Sequence, residues 1–371
     1  MKKRVLITIL IVVLLGLAIV AGLFIYAKFF ENKDNDSKSE PTSSTDNSND
    51  NNNNKEPEVK QPVNTSMLFT GDVLLSEYVL SNYNSKGIDG VVEGSLREDM
   101  VNADFAMVNE EFPFSNRGTK APDKQYTFRV DPKYVSIFKE LGIDAVGLAN
   151  NHVLDFGKEA LEDTFTTLNN AGILFTGSGN NLAEASKLVV CDKNGVKVGI
   201  VAASRVIPVV EWNVKNSQPG VFTAYDPTDL IGVVQKAKTE CDLVYVMIHW
   251  GTEHTDKLEE YQKTIGHQLI DAGADGVIGA HPHVVQGIER YNGKPIFYSL
   301  GNYIFNQNIE RTFALKIDYD NVNKTPNYSL IPAKAVGATT RKMSSEEASS
   351  LYSYLNSIST DVSIDEGGNV K

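Results

Sequence analysis

Two histidines in the second half of the chain have the spacing of a metal-ligand pair. His281 and His283 flank Pro282 in the segment DGVIGAHPHVVQ, directly after a short apolar run. At the end of a buried strand, imidazoles at alternate positions can direct their nitrogens to one point. The pattern H-x-H is short, and by itself it is equally typical of two polar loop residues. Polar residues elsewhere in the chain must decide between these interpretations.

Several other polar residues also follow apolar, strand-like runs. Because neighbouring strands of an α/β sheet end at a common edge, side chains distant in sequence are expected to converge there. The residues in such positions are Asp72, Glu110 or Glu111, Asn151 with His152, and His249. Carboxylate, amide and imidazole together suit Mn²⁺, Zn²⁺, Fe²⁺ or Mg²⁺. The sequence therefore predicts a site for one or two divalent ions, and a pair of ions could activate water for attack on a phosphoryl group.

The strands and helices that position these residues are predicted from alternating patterns of apolar residues. Buried strands are predicted at 66–75, 104–112, 144–152 and 242–251, and helices at 131–142, 157–172 and 257–273. Asn-Gly pairs at 194–195 and 292–293 favour hairpins. This combination predicts an α/β (α+β mixed) fold, with a mixed sheet or two packed sheets and helices outside.

The N-terminal segment predicts a membrane anchor. Residues 2–4 are basic, and the 23 residues of 5–27 carry no charge. At about 1.5 Å per residue such a helix spans a bilayer core of roughly 30 Å. We expect 1–30 to be a cytoplasmic basic end and transmembrane signal-anchor, so that the protein is single-pass in the cell membrane with an extracellular main domain. A long cleavable signal is the alternative.

Composition sets the remaining boundaries. Residues 31–65 are rich in Asn, Ser and charged residues and predict a disordered linker. The main domain is expected at 66–345, followed by a C-terminal helix and flexible tail at 346–371.

A net charge of -12 argues against a nucleic-acid partner. With only Cys191 and Cys241, a disulfide-rich scaffold is excluded; the two could pair, but buried free thiols are favoured.

Six short motifs occur in order between residues 66 and 306. They are GD at 71–72, NEE at 109–111, ANNHVLDFG at 149–157, HWGTE at 249–253, GAHPH at 279–283 and SLGN at 299–302. This set resembles the CapA/PgsA family of bacterial poly-γ-glutamate capsule synthesis proteins, which are related to calcineurin-like metallophosphatases. The resemblance implies a four-layer α-β-β-α metallophosphatase-like sandwich of two mixed sheets flanked by helices. It also implies a surface role in making or anchoring the polymer, with poly-γ-glutamate and other capsule synthesis membrane proteins as partners.

The resemblance also implies roles for individual residues. His152 matches a general acid, although a structural hydrogen-bonding role is the alternative. Glu111 occupies the place of a bridging carboxylate and is favoured over Glu110. The implied metal ligands are Asp72, Glu111, Asn151, His249, His281 and His283. Four further residues are expected to contact substrate or support the ligands: Glu253, Trp250, Ser299 and Asn302. For Trp250, a place in the core is an equal alternative.

One departure from the phosphatase pattern limits the functional prediction. Metallophosphatases carry a His two residues after the first Asp, where this chain has Leu74. A single metal, or none, is therefore compatible with the sequence. One hypothesis is a metal-dependent hydrolase acting on phosphoester or γ-glutamyl bonds. The other is a non-catalytic subunit of a membrane biosynthesis complex that binds polymer or a partner.

Overall fold

The computed structural model describes residues 64–214 and 218–371. The predicted membrane anchor and all but the end of the predicted linker lie outside the described residues. Among the described residues, no helix is both long enough and apolar enough to span a bilayer.

The described part of the chain alternates strands and helices. The strands are β1 (Thr65–Val73), β2 (Phe105–Glu110), β3 (Ala145–Gly147), β4 (Leu174–Thr176), β5 (Ser178–Gly179), β6 (Val189–Lys193), β7 (Val196–Ser204), β8 (Gly220–Val221), β9 (Leu243–His249), β10 (Gly276–Ala280), β11 (Ile288–Tyr291), β12 (Lys294–Phe297), β13 (Asn302–Ile304), β14 (Asn308–Asp320), β15 (Thr325–Val336), β16 (Thr339–Lys342) and β17 (Asn369–Val370). The α-helices are α1 (Glu77–Lys86), α2 (Gly94–Val101), α3 (Val135–Glu140), α4 (Lys158–Ala171), α5 (Leu182–Ala185), α6 (Thr228–Glu240), α7 (Glu260–Asp271) and α8 (Ser345–Ile358). Short 3₁₀ helices lie at Gly87–Gly90, Pro132–Tyr134 and Val210–Trp212.

Two large sheets form the body of the domain. Sheet 1 has the order β16-β15-β14-β1-β2-β3-β4, with β13 beside β1 and β17 beside β15. Sheet 2 has the order β11-β12-β10-β9-β7-β6. In sheet 1 the strands β1 to β4 are parallel and antiparallel strands adjoin them on the β14 side, whereas in sheet 2 the parallel centre has an antiparallel strand at each edge. The predicted mixed α/β class is confirmed, and the polar residues that follow β1, β2, β9 and β10 share the carboxyl ends of parallel strands.

Alternate residues of β9 show how the sheets are packed. Tyr245 and Met247 lie in a core shared with sheet 1, where the Tyr245 and Phe69 ring centroids are 6.0 Å apart. Val246 and Ile248 point the other way and pack in a second core with α6 and α7. Sheet 2 is therefore buried on both faces, which explains the uninterrupted apolar run of its central strand.

Both predicted hairpins are present. Asn194 and Gly195 have φ of 52° and 83° and join β6 to β7. Asn292 and Gly293 have φ of 48° and 77° and join β11 to β12. Positive φ at both turn residues is the conformation that Asn-Gly tolerates best in a two-residue turn.

The two cysteines are buried free thiols, as favoured from the sequence. Cys191 lies on β6 and Cys241 follows α6. Burial raises the pKa of the Cys191 thiol to about 11, so it stays protonated and unreactive at neutral pH.

The C-terminal segment differs from its prediction. Helix α8 is present, but the residues after it are not a flexible tail. Strand β17 pairs with β15, and Ile364 and Val370 are buried. The apolar side chains of this segment are too widely spaced to predict a strand, and their burial depends on the edge that β15 offers.

Candidate metal centre

The carboxyl edges of the two sheets bring the predicted polar residues together. Glu111 directly follows β2, and its Oε1 lies 3.6 Å from Nε2 of His249 at the end of β9. Asp72 lies near the end of β1, with Oδ1 4.0 Å from Nδ1 of His249. His281 follows β10, and its backbone N–H donates to Oδ2 of Asp72 at 3.1 Å. Sheet 1 thus supplies the carboxylates and sheet 2 supplies these imidazoles.

Two glycines allow the strands to approach closely at this edge. The backbone N–H of Asp72 donates to the carbonyl oxygen of Gly301 at 3.1 Å. A Cβ on Gly71 would lie 1.9 Å from that same oxygen, so a larger residue cannot be accommodated. Gly301 itself has φ of 74°, which favours glycine. The GD and SLGN motifs therefore meet in space and place Asp72 beside Asn302.

The loop that carries His281 and His283 has an unusual backbone. Their φ values are 99° and 60°, in a region that costs a non-glycine residue about 1–3 kcal/mol. The hydrogen bond from His281 to the Asp72 carboxylate helps to hold this conformation. Strain of this kind is often concentrated at functional sites.

The ionisable side chains form two overlapping groups that could each hold a metal ion. One consists of Glu111, His249 and His281, and the other of Asp72, Glu111 and His283. Within each group the possible ligand atoms lie within 4.8 Å of one another. Glu111 belongs to both groups, which is the position predicted for a bridging carboxylate.

Unpartnered buried atoms test whether a cation fits here. Both carboxylate oxygens of Glu111 and Nδ1 of His281 are buried and have no hydrogen-bond partner among the described residues. An isolated buried carboxylate is costly unless a proton or a cation compensates it. A divalent ion would satisfy these atoms, and carboxylate with imidazole is a suitable donor set for it. The residues present therefore fit a metal.

The pKa values of the ionisable groups in the cluster are shifted in different directions. Burial, and then the Asp72 charge, raise the pKa of Glu111 well above its ordinary value. Burial, and then the neighbouring histidines, lower the pKa of His249 strongly and that of His281 to about 4. Burial would also lower the pKa of His283, but Glu111 and Asp72 outweigh it and raise the pKa to about 10. His249 and His281 are thus neutral and ready to coordinate, whereas His283 must release a proton.

Two asparagines complete the cluster. Oδ1 of Asn151, a predicted ligand, lies 2.9 Å from Nε2 of His249. Nδ2 of Asn109 donates to Oδ1 of Asp72 at 2.7 Å and lies 3.3 Å from Nδ1 of His249. Asn109 begins the NEE motif, but no role was predicted for it from the sequence. The available signal was its spacing, because residues two apart on a strand share a face and Asn109 precedes Glu111 by two.

His152 lies beside the cluster with a partner on each side of its ring. Its Nδ1 is 2.7 Å from Oδ2 of Asp155, and its Nε2 is 3.9 Å from Oε1 of Glu111. The Phe128 ring stacks on it with centroids 4.3 Å apart. Burial lowers the pKa of His152, although Asp155 opposes this effect. A neutral imidazole that donates Nδ1–H to Asp155 presents the Nε2 lone pair toward Glu111.

Lys124 was missed from the sequence. It makes an ion pair with Asp155 and donates to the backbone oxygen of Asn151, and its Nζ lies 3.0 Å from Nδ1 of His152. Burial lowers the pKa of Lys124, and Asp155 partly offsets this. Lys124 belongs to an irregular loop without periodicity, so only the tertiary structure reveals its contacts.

Asn302 contacts a member of the cluster, and Glu253 lies at the rim of the adjoining cavity. Oδ1 of Asn302 is 2.8 Å from Nδ1 of His283 and orients that ring. Glu253 is exposed at the rim of a cavity that His152 and His283 also line. Of the two carboxylates that end β2, Glu110 belongs to neither group that could hold a metal.

Ser299 and Trp250, which were predicted to contact substrate or support the ligands, lie away from the cavity surface. Ser299 is fully buried, and its hydroxyl donates to the backbone oxygen of Val284 at 2.7 Å and accepts from the N–H of Gly301. It shapes the loops that carry His283 and Asn302. Trp250 is also fully buried and packs in the core beneath α6 and α7. Its Nε1–H donates to the backbone oxygen of Tyr298 at 2.8 Å. Strand alternation directs Trp250 to the helix side, away from its neighbour His249.

Sequence comparison relates the chain to capsule proteins. A family model described as "Bacterial capsule synthesis protein PGA_cap" matches residues 66–307. The chain is 33% identical over 252 residues to the PGA biosynthesis protein CapA of Bacillus subtilis, a match that covers 67% of this chain and 65% of that protein. It is 31% identical over 254 residues to the capsule biosynthesis protein CapA of Bacillus anthracis, covering 67% and 61%. The chain thus matches slightly less than two thirds of the length of these relatives.

Similarity to solved structures is weaker. The 5'-nucleotidase of Candida albicans aligns with 72% of this chain and 51% of its own, at a TM-score of 0.41 and 13% identity. TT1561 of Thermus thermophilus aligns with 72% of this chain and 99% of its own, at a TM-score of 0.40 and 10% identity. At these scores the likeness assigns neither fold nor chemistry.

Proposed function

Because the chain belongs to the PGA_cap family of bacterial capsule synthesis proteins, we propose that it makes or anchors poly-γ-glutamate with the help of a metallophosphatase-like metal site. The observation that carries this proposal is Glu111, a buried carboxylate shared by two ligand groups and without a hydrogen-bond partner among the described residues. The two packed sheets and the helices around them support a four-layer sandwich of the metallophosphatase type.

The proposed metal ligands are the six residues predicted from the sequence. They are Asp72, Glu111, Asn151, His249, His281 and His283. One or two Mn, Zn, Fe or Mg ions would supply Lewis-acid activation of water at a phosphoester or γ-glutamyl bond. Asp155 holds the His152 ring so that Nε2 can exchange a proton with the reacting group. Lys124 fixes Asp155 and the Asn151 backbone in turn.

The proposal also places the protein at the cell surface. We propose that residues 1–30 anchor it in the cell membrane with a cytoplasmic N-terminus and that the main domain is extracellular. The basic residues before the apolar run support this orientation. Its partners there would be the polymer and other capsule synthesis membrane proteins.

A non-catalytic role is the second candidate. Strand β1 continues past Asp72 into Val73, and the next residue, Leu74, is also apolar and buried. No imidazole is available at that position to complete a two-metal set of the phosphatase type. In this alternative the same cluster binds polymer or a partner protein without cleaving a bond.

Metal analysis of the full-length chain tests the proposal. We expect one or two divalent ions per chain, detected by plasma mass spectrometry, and their loss in the His281→Ala/His283→Ala variant. His267→Ala is the matched control, because His267 lies on α7 and contacts Glu289, remote from the cluster. Metal-dependent cleavage of a phosphoester or γ-glutamyl substrate, abolished in the double variant, would support the hydrolase. Metal content that is identical in all three proteins would refute the metal site.

A further inference from the structure

Two cavities meet beside the candidate metal centre. The first has a volume of about 540 Å³ and the second of about 330 Å³. Both are lined by His254, His283 and Asn306, so the two cavities adjoin along the wall that these residues form. His283 is also a member of the metal-binding cluster. His283 therefore brings one member of this cluster to the wall that the two cavities share.

Each cavity contains an arginine held against an aromatic ring. In the first, the Arg129 guanidinium lies 4.1 Å from the centre of the Phe156 ring. In the second, the Arg311 guanidinium lies 4.3 Å from the centre of the Tyr354 ring. Stacking fixes the plane of a guanidinium and leaves its N–H edge free to bind a carboxylate.

Neither arginine is engaged in a strong ion pair within the described residues. Arg129 is exposed and donates from Nη1 to the backbone oxygen of Arg117. Nη2 of Arg311 lies 3.6 Å from Oε1 of Glu310, whose side chain is 86% exposed. A surface pair of this kind contributes little and is readily exchanged for another carboxylate. Both guanidinium groups are thus available to an anionic ligand.

The remaining lining limits what that ligand can be. The first cavity presents apolar and aromatic surface from Leu75, Tyr126 and Phe305, and carries the acidic residues Glu77 and Glu253. The second carries Glu310. A flexible chain whose carboxylates are separated by methylene groups matches spaced arginines and apolar walls.

We propose that the two cavities form one continuous cleft that binds an extended carboxylate-bearing chain across the candidate metal centre. Arg129 and Arg311 hold the chain on opposite sides of His283, so an internal segment of the chain lies against the cluster. A small ligand would occupy one cavity and need only one arginine. This inference rests on the proposed function for the identity of the chain, a γ-linked glutamate polymer, and adds where and how the chain binds.

Binding of γ-linked glutamate oligomers to the metal-loaded full-length chain tests this. We expect calorimetric affinity to rise with oligomer length until both cavities are filled. Arg129→Gln and Arg311→Gln should each weaken binding of long oligomers about tenfold, because each removes a charge-assisted contact. The metal content should stay unchanged. Arg341→Gln is the matched control, since Arg341 is exposed on β16 and lines neither cavity.

The outcomes separate this inference from the proposed function. Affinity independent of length, or arginine variants that bind like Arg341→Gln, would overturn the cleft even if the metal is retained. Loss of affinity in only one arginine variant would also overturn it, because a single cavity would then suffice. Failure of the metal site would appear separately, as metal content unaffected by the His281→Ala/His283→Ala change.

Discussion

The buried polar groups near the two ends of β10 differ in whether their atoms have hydrogen-bond partners. At the amino end, Oδ2 of Asp275 accepts from Lys238 Nζ at 2.6 Å and from the backbone N–H of Val244 at 2.9 Å. Its Oδ1 accepts from Lys294 Nζ at 2.7 Å. Every oxygen of this buried carboxylate therefore has a partner supplied by the chain itself.

Near the carboxyl end, one carboxylate and one imidazole nitrogen of the cluster have no such partners. Both oxygens of Glu111 lack a hydrogen-bond partner among the described residues, as does Nδ1 of His281. Burial is similar at the two ends, so burial alone does not distinguish a structural carboxylate from a ligand. Glu111 differs from Asp275 in two ways together: its oxygens have no partner among the described residues, and it lies within reach of imidazoles that could share an ion.

The largest effect should follow from Glu111→Gln. Because Glu111 belongs to both ligand groups, its replacement should lower metal affinity more than about a hundredfold. Glutamine has nearly the same shape as glutamate, and it removes the cost of holding a buried carboxylate without a hydrogen-bond partner. Stability of the metal-free protein should therefore change little. Metal titration and urea unfolding of the metal-free variant measure the two quantities, and unchanged metal affinity would remove the distinction between the two ends.

Asp275→Asn should give the converse result. It removes two ion pairs and weakens the hydrogen bond to Val244, so the free energy of unfolding should fall by about 2–3 kcal/mol. Lys238 and Lys294 are partly exposed and can be hydrated, which keeps the loss below that of a fully buried pair. Metal content should stay at the wild-type level. A loss of metal in this variant at temperatures where it is folded would contradict a purely structural role.

Asn302→Ala should have the smallest effect and would sharpen the assignment of His283. The amide oxygen of Asn302 orients the His283 ring through Nδ1 at 2.8 Å, so its removal should weaken metal binding about tenfold. Asn306→Ala is the control, because Asn306 lines the same two cavities and is exposed. Equal metal affinity in the two variants would mean that the contact between Asn302 and His283 does not position a ligand.

Sequence patterns anticipated the cluster better than the residues around it. Asp72, His249 and His281 each follow an apolar run, and parallel strands bring such ends together. The side chains of Ser299 and Trp250 were harder to place. Ser299 follows an apolar run too, but its hydroxyl is consumed by local backbone groups. Trp250 directly follows His249, and strand alternation sends it to the opposite side.

Only the tertiary structure shows which loop residues lie beside the candidate metal centre and its cavities. Lys124 reaches His152 and Asp155 from a loop that no periodicity describes. Arg129 and Arg311 are far apart in sequence and lie in adjoining cavities only because β14 and the loop before α3 flank the same edge. The folded end of the chain, where β17 pairs with β15, likewise depends on a neighbour distant in sequence.

The sequence by itself determined the mixed α/β class, the hairpins at the Asn-Gly pairs and the family, because apolar periodicity, turn residues and motifs are local properties of the chain. Only the tertiary structure decided that Glu111 is shared by two ligand groups and left without a partner, while Asp275 is fully paired. Whether a buried carboxylate is satisfied depends on donors from other strands and loops, and no spacing along the chain records where those donors come to lie.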